Sequence, residues 1–274
     1  MGTRILSSLI ALALVALGAI HPAAADRFII VQSTTSTQNS GLYDHILPLF
    51  RDRTGIEVRV VAVGTGQAIR NAANGDGDVL LVHARAAEEQ FVADGYGLSR
   101  ADVMYNDFVI VGPGSDPAGV AGMRDAAAAL ARIARAEAPF VSRGDDSGTH
   151  KAERRLWQEA GVNVTGASGS WYRETGSGMG ATLNIAAGMG AYAITDRATW
   201  AGFGNKGNRR ILVEGDPKLF NQYGVVLVNP KRRPQAKAGL AKQFVAWILS
   251  EEGQAAIASY RVDGRQLFFP NAGG

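Results

Sequence analysis

The sequence predicts an α/β protein with two lobes, and three observations support this fold class. Short apolar segments typical of buried strands alternate with segments of helical periodicity, which favours a mostly parallel sheet flanked by helices. The chain has 274 residues, enough for two lobes of ordinary size. It contains 34 glycines, about 12% against a usual ~7%, which indicates many tight turns or close backbone approaches.

Each predicted element has a local signal. Strands are predicted where short runs are rich in β-branched residues, and helices where apolar residues recur on one face. In chain order, alternating strand and helix signals cover residues 28–31, 41–52, 57–63, 66–74, 79–82, 86–93, 103–111 and 123–138. Near the C-terminus an amphipathic helix contains Leu240, Phe244, Trp247 and Ile248.

The apolar stretches 103–111 and 224–228 predict two crossings between the lobes. The first lobe is then expected to hold residues 27–107 and 222–274, and the second lobe residues 108–221. Because α/β sheets bind ligands beyond the carboxyl ends of their strands, we expect the binding site in the cleft between the lobes.

Residues 1–25 have the pattern of a cleaved secretory signal peptide. Arg4 precedes twelve apolar residues, Leu9 to Ile20, and the segment ends in Ala23-Ala24-Ala25. Twelve residues are too few to span a bilayer, which needs about 20. We therefore expect a soluble periplasmic protein without a membrane anchor. The absence of cysteine also excludes a lipid-modified N-terminus, disulfides and thiol chemistry.

The charge of the chain argues against nucleic acid as a partner. The formal net charge is only +3, and the basic residues are scattered along the sequence. The one basic cluster, Lys231-Arg232-Arg233, lies between two prolines and predicts a solvated turn.

Four loops rich in glycine or hydroxyl residues precede helical segments: residues 33–37, 64–67, 142–150 and 176–180. A helix N-terminus offers unpaired N–H donors and a partial positive charge, so it can hold an anion. Any one such loop is better explained by helix capping, since Ser, Thr and Asp are favoured N-caps. Several loops of this kind at strand ends favour a shared anion site.

Arg143 is the charged donor in these loops, and its planar guanidinium suits an oxyanion. It could instead be neutralised by Asp145 or Asp146, and both arrangements are compatible with the spacing. The candidate ligand-binding residues are Thr34, Thr35, Ser36, Thr65, Gly66, Arg143, Ser147, Gly148 and Thr149.

Enzyme and metal sites have weaker support. Ser147 and His150 do not form a G-x-S-x-G motif, and their spacing on one helical turn does not suit a hydrolase, which remains a minor alternative. His45, His83 and His150 are far apart in the sequence, so no metal site is expected. Residues 176–180 do not match the dinucleotide-binding motif, and no cofactor is expected.

Several motifs together resemble the tungstate-binding proteins of ABC importers, over nearly the whole chain that follows the signal peptide. The stretch Ser142-Arg143-Gly144-Asp145-Asp146-Ser147-Gly148-Thr149-His150 is the most specific of them. The others are Thr34-Thr35-Ser36-Thr37 with Asn39-Ser40-Gly41-Leu42, Gly64-Thr65-Gly66-Gln67, residues 77–83, residues 104–113, Trp171-Tyr172, Gly178-Met179-Gly180 and Thr195-Asp196-Arg197.

The resemblance implies a two-lobed periplasmic binding protein of the second structural type, acting as a monomer. Such a protein is not an enzyme; it binds tungstate between its lobes and delivers it to a membrane permease driven by a cytoplasmic ATPase. Tungstate is a dianion that needs only donors, which agrees with the loops above. The same role for molybdate or phosphate remains an alternative, because molybdate has nearly the same size and charge and phosphate-binding proteins share the Arg-x-Asp-x-Ser-Gly-Thr spacing.

Overall fold

The computed structural model describes residues 27–273 of the chain. The predicted signal peptide, residues 1–25, lies outside the described residues. Across 27–273, none of the helices combines the length and the apolar character that crossing a membrane requires.

The first part of the chain alternates strands and helices as the sequence predicts. Its elements are β1 (Phe28–Thr34), α1 (Thr35–Asn39), α2 (Leu42–Thr54), β2 (Glu57–Val63), α3 (Thr65–Asn74), β3 (Val79–Val82), α4 (Arg85–Ala93) and β4 (Gly97–Gly112). Gly75, at a φ of 92°, ends α3 in the left-handed conformation that glycine adopts without strain. The short helix α1 was not predicted, because its sequence is only hydroxyl and amide residues.

The rest of the chain adds a second set of helices and shorter strands. They are α5 (Ala126–Arg135), β5 (Phe140–Ser142), α6 (Gly148–Glu159), β6 (Tyr172–Glu174), α7 (Met179–Gly188), β7 (Ala193–Asp196), α8 (Arg197–Gly202), β8 (Arg210–Val213), β9 (Phe220–Val228), α9 (Ala238–Leu249), α10 (Glu251–Ser259), β10 (Arg261–Val262), β11 (Arg265–Gln266) and β12 (Phe269–Pro270). The predicted helix 123–138 is shorter because Asp125 caps its N-terminus by accepting from the Ala128 N–H.

The main sheet has the strand order β12-β4-β9-β3-β1-β2, and β7 and β8 pair with β4 outside this path. The α/β two-lobed class is confirmed, but the sheet is mixed rather than mostly parallel. Strand β1 is parallel to β2 and β3, whereas β9 is antiparallel to both β3 and β4. The physical reason is that the chain leaves the first lobe along β4 and returns along β9, so these two strands run side by side in opposite directions.

Buried apolar residues form separate cores on the two sides of the molecule. One set contains Ile29, Phe50 and Trp247, from β1, α2 and α9. Another contains Phe140 and Trp157, from β5 and α6. The elements around these cores are called the first and second lobe below; the division at residues 107/108 and 221/222 stays a prediction.

Strand β4 belongs to both lobes. Its residues from Gly97 to Asp107 pair with β9, and those from Phe108 to Gly112 pair with β7 and β8. The predicted crossing segment 103–111 lies inside this strand. Residues 224–227 of β9, by contrast, pair with β3 within the first lobe. The chain therefore re-enters the first lobe before residue 224, earlier than the predicted second crossing at 224–228.

Candidate oxyanion site

The four hydroxyl- and glycine-rich loops meet where the two lobes face each other. The 33–37 and 64–67 loops follow β1 and β2 in the first lobe, and the 142–150 and 176–180 loops follow β5 and β6 in the second. Across the cleft, Arg143 Nη2 lies 3.4 Å from Thr35 Oγ1, and the Gly148 N–H donates to Thr65 Oγ1 at 2.8 Å. The structure therefore brings the predicted site residues together, in a closed arrangement of the lobes.

The 33–37 loop is held by its own hydroxyl groups. Thr34 is the N-cap of α1, where its hydroxyl accepts from the Thr37 N–H at 3.4 Å. Thr34 Oγ1 also lies 3.1 Å from Ser36 Oγ and 2.7 Å from Thr37 Oγ1. Ser33 is directed elsewhere, with its hydroxyl 2.5 Å from that of Tyr43. The hydroxyl groups that cap α1 are therefore also candidate donors to an anion.

The N-terminus of α3 contacts the second lobe directly. Besides the Thr65 contact to Gly148, a Cβ placed on Gly66 would lie 2.2 Å from Asp146 Oδ2. A side chain at position 66 would therefore require the exposed Asp146 side chain to move. Glycine allows this close approach, as the loop composition indicates.

The Arg143 side chain is only 2% exposed and is held by Asp145. Its Nη2 and Nε donate to Asp145 Oδ2 at 2.6 and 3.2 Å, and Asp145 Oδ1 accepts from the Ser147 N–H at 3.2 Å. Both carboxylate oxygens are thus occupied. Within residues 27–273 we find no hydrogen bond to Arg143 Nη1, which leaves that edge of the guanidinium available for an anion.

The start of α6 supplies neutral donors. Ser147 is the N-cap, and its Oγ accepts from the His150 N–H at 3.2 Å, so its own proton remains available. Thr149 Oγ1 is buried and has no hydrogen-bond partner among the described residues. A buried hydroxyl without a partner is unfavourable, so this group is suited to meet a ligand.

The fourth loop belongs to the same cluster, although none of its residues is among the predicted ligand contacts. The Ser177 N–H and the Thr175 hydroxyl both donate to the carbonyl oxygen of Arg143, each at 3.3 Å. A Cβ on Gly178 would lie 3.8 Å from Thr35 Oγ1. The N-terminus of α7 therefore reaches the first lobe beside Arg143.

His83 is a site residue that the sequence analysis treated only as an unlikely metal ligand. It follows β3, its ring is 6% exposed, and its Nε2 lies 3.2 Å from Ser36 Oγ. Burial, followed by a smaller effect of the charge of Arg143, lowers its pKa to about 4, so the ring is neutral at pH 7. Its position at the carboxyl end of a buried strand is the signal that could have identified it.

The geometry does not form a serine–histidine catalytic pair. The Ser147 hydroxyl contacts the backbone of His150, while His150 Nδ1 accepts from the Asp146 N–H at 3.2 Å. The described part of the chain also holds no cluster of His, Asp or Glu residues that could bind a metal ion. The donor set therefore suits an anion that needs donors alone.

A cavity of about 210 Å³ borders the site on the cleft side. It reaches His83 and Gly148. Three cationic side chains, those of Arg85, Lys151 and Arg155, line it without any carboxylate. Each of the three cations forms an ion pair with a carboxylate outside the lining: Arg85 with Glu89, Lys151 with Asp146 and Arg155 with Glu159.

The fold and the site define a class of binding protein. A profile of the PBP superfamily domain matches residues 19–252, and the chain belongs to this superfamily of periplasmic binding proteins. Within it, the chain belongs to the family of TupA proteins, as the relatives below show.

The relatives share sequence over most of their length. The chain is 48% identical to the tungstate-binding protein TupA of Peptoclostridium acidaminophilum, over 93% of this chain and 90% of that protein. Its structure is similar to that of the tungstate-binding protein TupA from Desulfovibrio alaskensis G20, with a TM-score of 0.77 and 48% identity over 89% of this chain and 99% of the other. It is also similar to the tungstate ABC transporter structure from Geobacter sulfurreducens, with a TM-score of 0.79 and 48% identity over 86% of this chain and 100% of the other.

Proposed function

We propose that this protein captures tungstate in the periplasm and delivers it to an ABC importer, without catalysing a reaction. The observation that carries the proposal is the meeting of donor loops from both lobes, where Arg143 contacts Thr35 and the Gly148 N–H contacts Thr65. The tungstate-binding role of relatives that are about half identical to this chain over most of its length supports the same function.

We propose that the ligand contacts come from three of these loops. They are Thr34, Thr35, Ser36, Thr65, Gly66, Arg143, Ser147, Gly148 and Thr149. Arg143 supplies the full positive charge and the hydroxyl groups supply neutral donors. The Gly148 N–H also donates to Thr65 Oγ1 across the cleft, so we propose that Gly148 both contacts the ligand and holds the lobes together.

The donor set favours a fully deprotonated anion over phosphate. Phosphate at pH 7 is partly protonated and benefits from an acceptor at the site. Asp145, beside Arg143, already accepts hydrogen bonds on both oxygens, from Arg143 and from the Ser147 N–H. Asp146 is exposed and forms an ion pair with Lys151 at 2.9 Å. Molybdate, which also lacks a proton at pH 7, is therefore a closer competitor than phosphate.

Export and partners follow from the same proposal. The N-terminal segment is proposed to be a signal peptide cleaved after Ala25. The mature protein is proposed to be a monomer whose lobes, divided near residues 107 and 222, close on the ligand. Its partners are then a membrane permease and a cytoplasmic ATPase.

Titration calorimetry with tungstate, molybdate, sulfate and phosphate tests this function. Tungstate is expected to bind most tightly, and phosphate more weakly than either group-six oxyanion. A preference for phosphate would contradict the proposal. Because a ligand that binds only the folded state stabilises it, tungstate is also expected to raise the melting temperature with increasing concentration.

A further inference from the structure

The side chain of His83 connects the cleft to the strands that join the lobes. Its Nε2 lies 3.2 Å from Ser36 Oγ, and its Nδ1 lies 3.0 Å from Asn221 Oδ1. Asn221 in turn donates through Nδ2 to Asn106 Oδ1 at 2.6 Å. Asn106 on β4 and Asn221 on β9 face each other in the sheet. A buried polar chain therefore runs from the sheet to the 33–37 loop.

The orientation of the Asn221 amide in the structure assigns a tautomer to His83. Asn221 directs its amide nitrogen to Asn106, so the atom that faces His83 is an oxygen, which can only accept. His83 Nδ1 therefore carries the proton in the neutral ring. Nε2 then has a free lone pair, which accepts the hydroxyl proton of Ser36.

The ring of His83 is also part of the contact between the lobes. One neighbour is Tyr223, whose ring stacks at a centroid distance of 4.8 Å. Another is Gly148 at the start of α6, where a Cβ would lie only 2.7 Å from His83 Cε1. The second lobe thus closes onto the imidazole itself, at the helix that carries Ser147 and Thr149.

We propose that His83 is a positioning residue of the oxyanion site. As the Nδ1–H tautomer it accepts the Ser36 proton and so fixes the 33–37 loop in one arrangement, and its ring forms the surface onto which Gly148 closes. This inference rests on the proposed function, because the effect of His83 on affinity is measured with tungstate as the ligand.

Three variants separate the hydrogen bond from the volume of the ring. His83→Gln places an acceptor near the position of Nε2, His83→Asn reaches only the position of Nδ1, and His83→Phe keeps the ring without either nitrogen. We expect His83→Gln to bind tungstate within about threefold of the parent, and the other two to bind about tenfold more weakly. Equal affinities of the three variants would overturn the inference.

A control variant and the melting temperatures exclude a purely structural effect. His45→Gln changes a histidine whose Nε2 contacts Ser259 at 2.9 Å, away from the cleft, and is expected to bind like the parent. If the affinities of the His83 variants merely follow their melting temperatures, His83 is structural and the inference is wrong.

Nitrogen NMR of the imidazole rings tests the tautomer without any ligand. The His83 signal is identified by its loss in His83→Gln. At pH 7 we expect a protonated Nδ1 and an unprotonated Nε2; the opposite tautomer, or a doubly protonated ring, would overturn the inference. If the parent protein failed to bind tungstate, the proposed function would be wrong, and the tautomer would still decide for or against this inference.

Discussion

The two walls of the cleft differ in the kind of donor they contribute. The first lobe presents neutral hydroxyl groups, such as Thr34 and Thr65, that are already hydrogen-bonded to their own loop or across the cleft. The second lobe presents the charge of Arg143 and the unpartnered hydroxyl of Thr149. The difference indicates that most of the electrostatic attraction comes from the second lobe, whereas the first lobe shapes and closes the site.

The two lobes also differ in how each holds a buried glutamate. Burial raises the pKa of both Glu88 and Glu153 to about 7. Glu88, in the first lobe, pairs with Arg100 at 2.6 Å. Glu153, in the second, contacts neutral groups, including the Tyr172 hydroxyl at 2.7 Å. Each lobe thus buries one glutamate: Glu88 is paired with a charged group, and Glu153 is hydrogen-bonded to neutral donors.

Replacement of Arg143 is expected to have the largest effect on binding. Loss of one partner of a buried, hydrogen-bonded charge pair costs about 2–5 kcal/mol, which is roughly 30-fold to several thousandfold in affinity. Arg143→Ala should weaken tungstate binding within that range, and Arg143→Lys should recover only part of it because an ammonium lacks the planar fork. Titration calorimetry at fixed pH and salt measures both.

Arg154→Ala is the matched control for the lost charge. Arg154 lies on the exposed face of α6 in the same lobe, so its removal should leave the affinity nearly unchanged. If Arg143→Ala bound within about threefold of the parent, the guanidinium would be structural, and the two walls would not differ in the way described.

The two buried glutamates should respond differently to neutralisation. Among the described residues, Glu88→Gln leaves Arg100 with Asp102 alone as an ionic partner. It should therefore destabilise the fold, by less than the ~3–5 kcal/mol typical of a fully broken buried pair. Glu153→Gln removes a carboxyl without a paired cation, so it should stabilise the protein at pH 8. Calorimetric melting temperatures of the two variants provide the comparison.

The pH dependence sharpens this prediction. Between about pH 5 and 7 the unfolded chain has ionised its glutamates while folded Glu153 remains protonated, because its pKa is about 7. The unfolded state then binds fewer protons, and stability falls as pH rises through this window. Glu153→Gln should reduce that fall, and the part due to Glu88, whose pKa is also about 7, should remain. An unchanged slope would show that Glu153 is ionised in the folded protein.

Gly148→Ala should weaken binding through the closed state. Its Cβ would lie 2.7 Å from the His83 ring, and overpacking of this kind costs about 1–3 kcal/mol. If the strain is confined to the closed arrangement, tungstate affinity falls while the free, open protein keeps its melting temperature. Gly239→Ala on α9, where a Cβ meets nothing within 4 Å, is the matched control. Equal affinities of the two variants would contradict the closure contact.

Thr149→Val should have the smallest effect. It removes a neutral donor, worth about 0.5–1.5 kcal/mol to the bound anion. Because Thr149 Oγ1 has no partner in the described chain, the variant should not lower the melting temperature of the free protein. Ser147→Ala should cost a similar amount of affinity, but it also loses the N-cap of α6 and should lower that melting temperature.

The sequence predicted those parts of the fold that depend on local pattern. Strands β1, β2 and β3 and helices α2, α3 and α4 follow from residue periodicity and the glycine after α3. Strand β4 begins at Gly97, whereas the sequence predicts its start at residue 103. Residues 97–102 lack a continuous apolar run and include Arg100, whose charge is paired with Glu88. No periodicity of the strand itself reveals such a tertiary pairing.

The same limit applies to the site. Loop composition predicts that Thr65, Arg143 and Thr149 lie in one site. The structure places Thr65 against Gly148, the neighbour of Thr149, and Arg143 against Thr35; their contact with a ligand stays a prediction. The position of His83 in that site depends on Asn221, which is 138 residues away in the chain. Contacts of that separation follow from the crossing of the strands between lobes and have no local signal.

Crystallographic location of tungsten by anomalous scattering tests the central claim most directly. The account predicts one strong peak between the 33–37 loop and the 142–150 loop, with tungstate oxygens in hydrogen-bonding distance of Arg143 and Thr149. A peak in the neighbouring cavity lined by Arg85, Lys151 and Arg155, or a peak that contacts one lobe only, would contradict it.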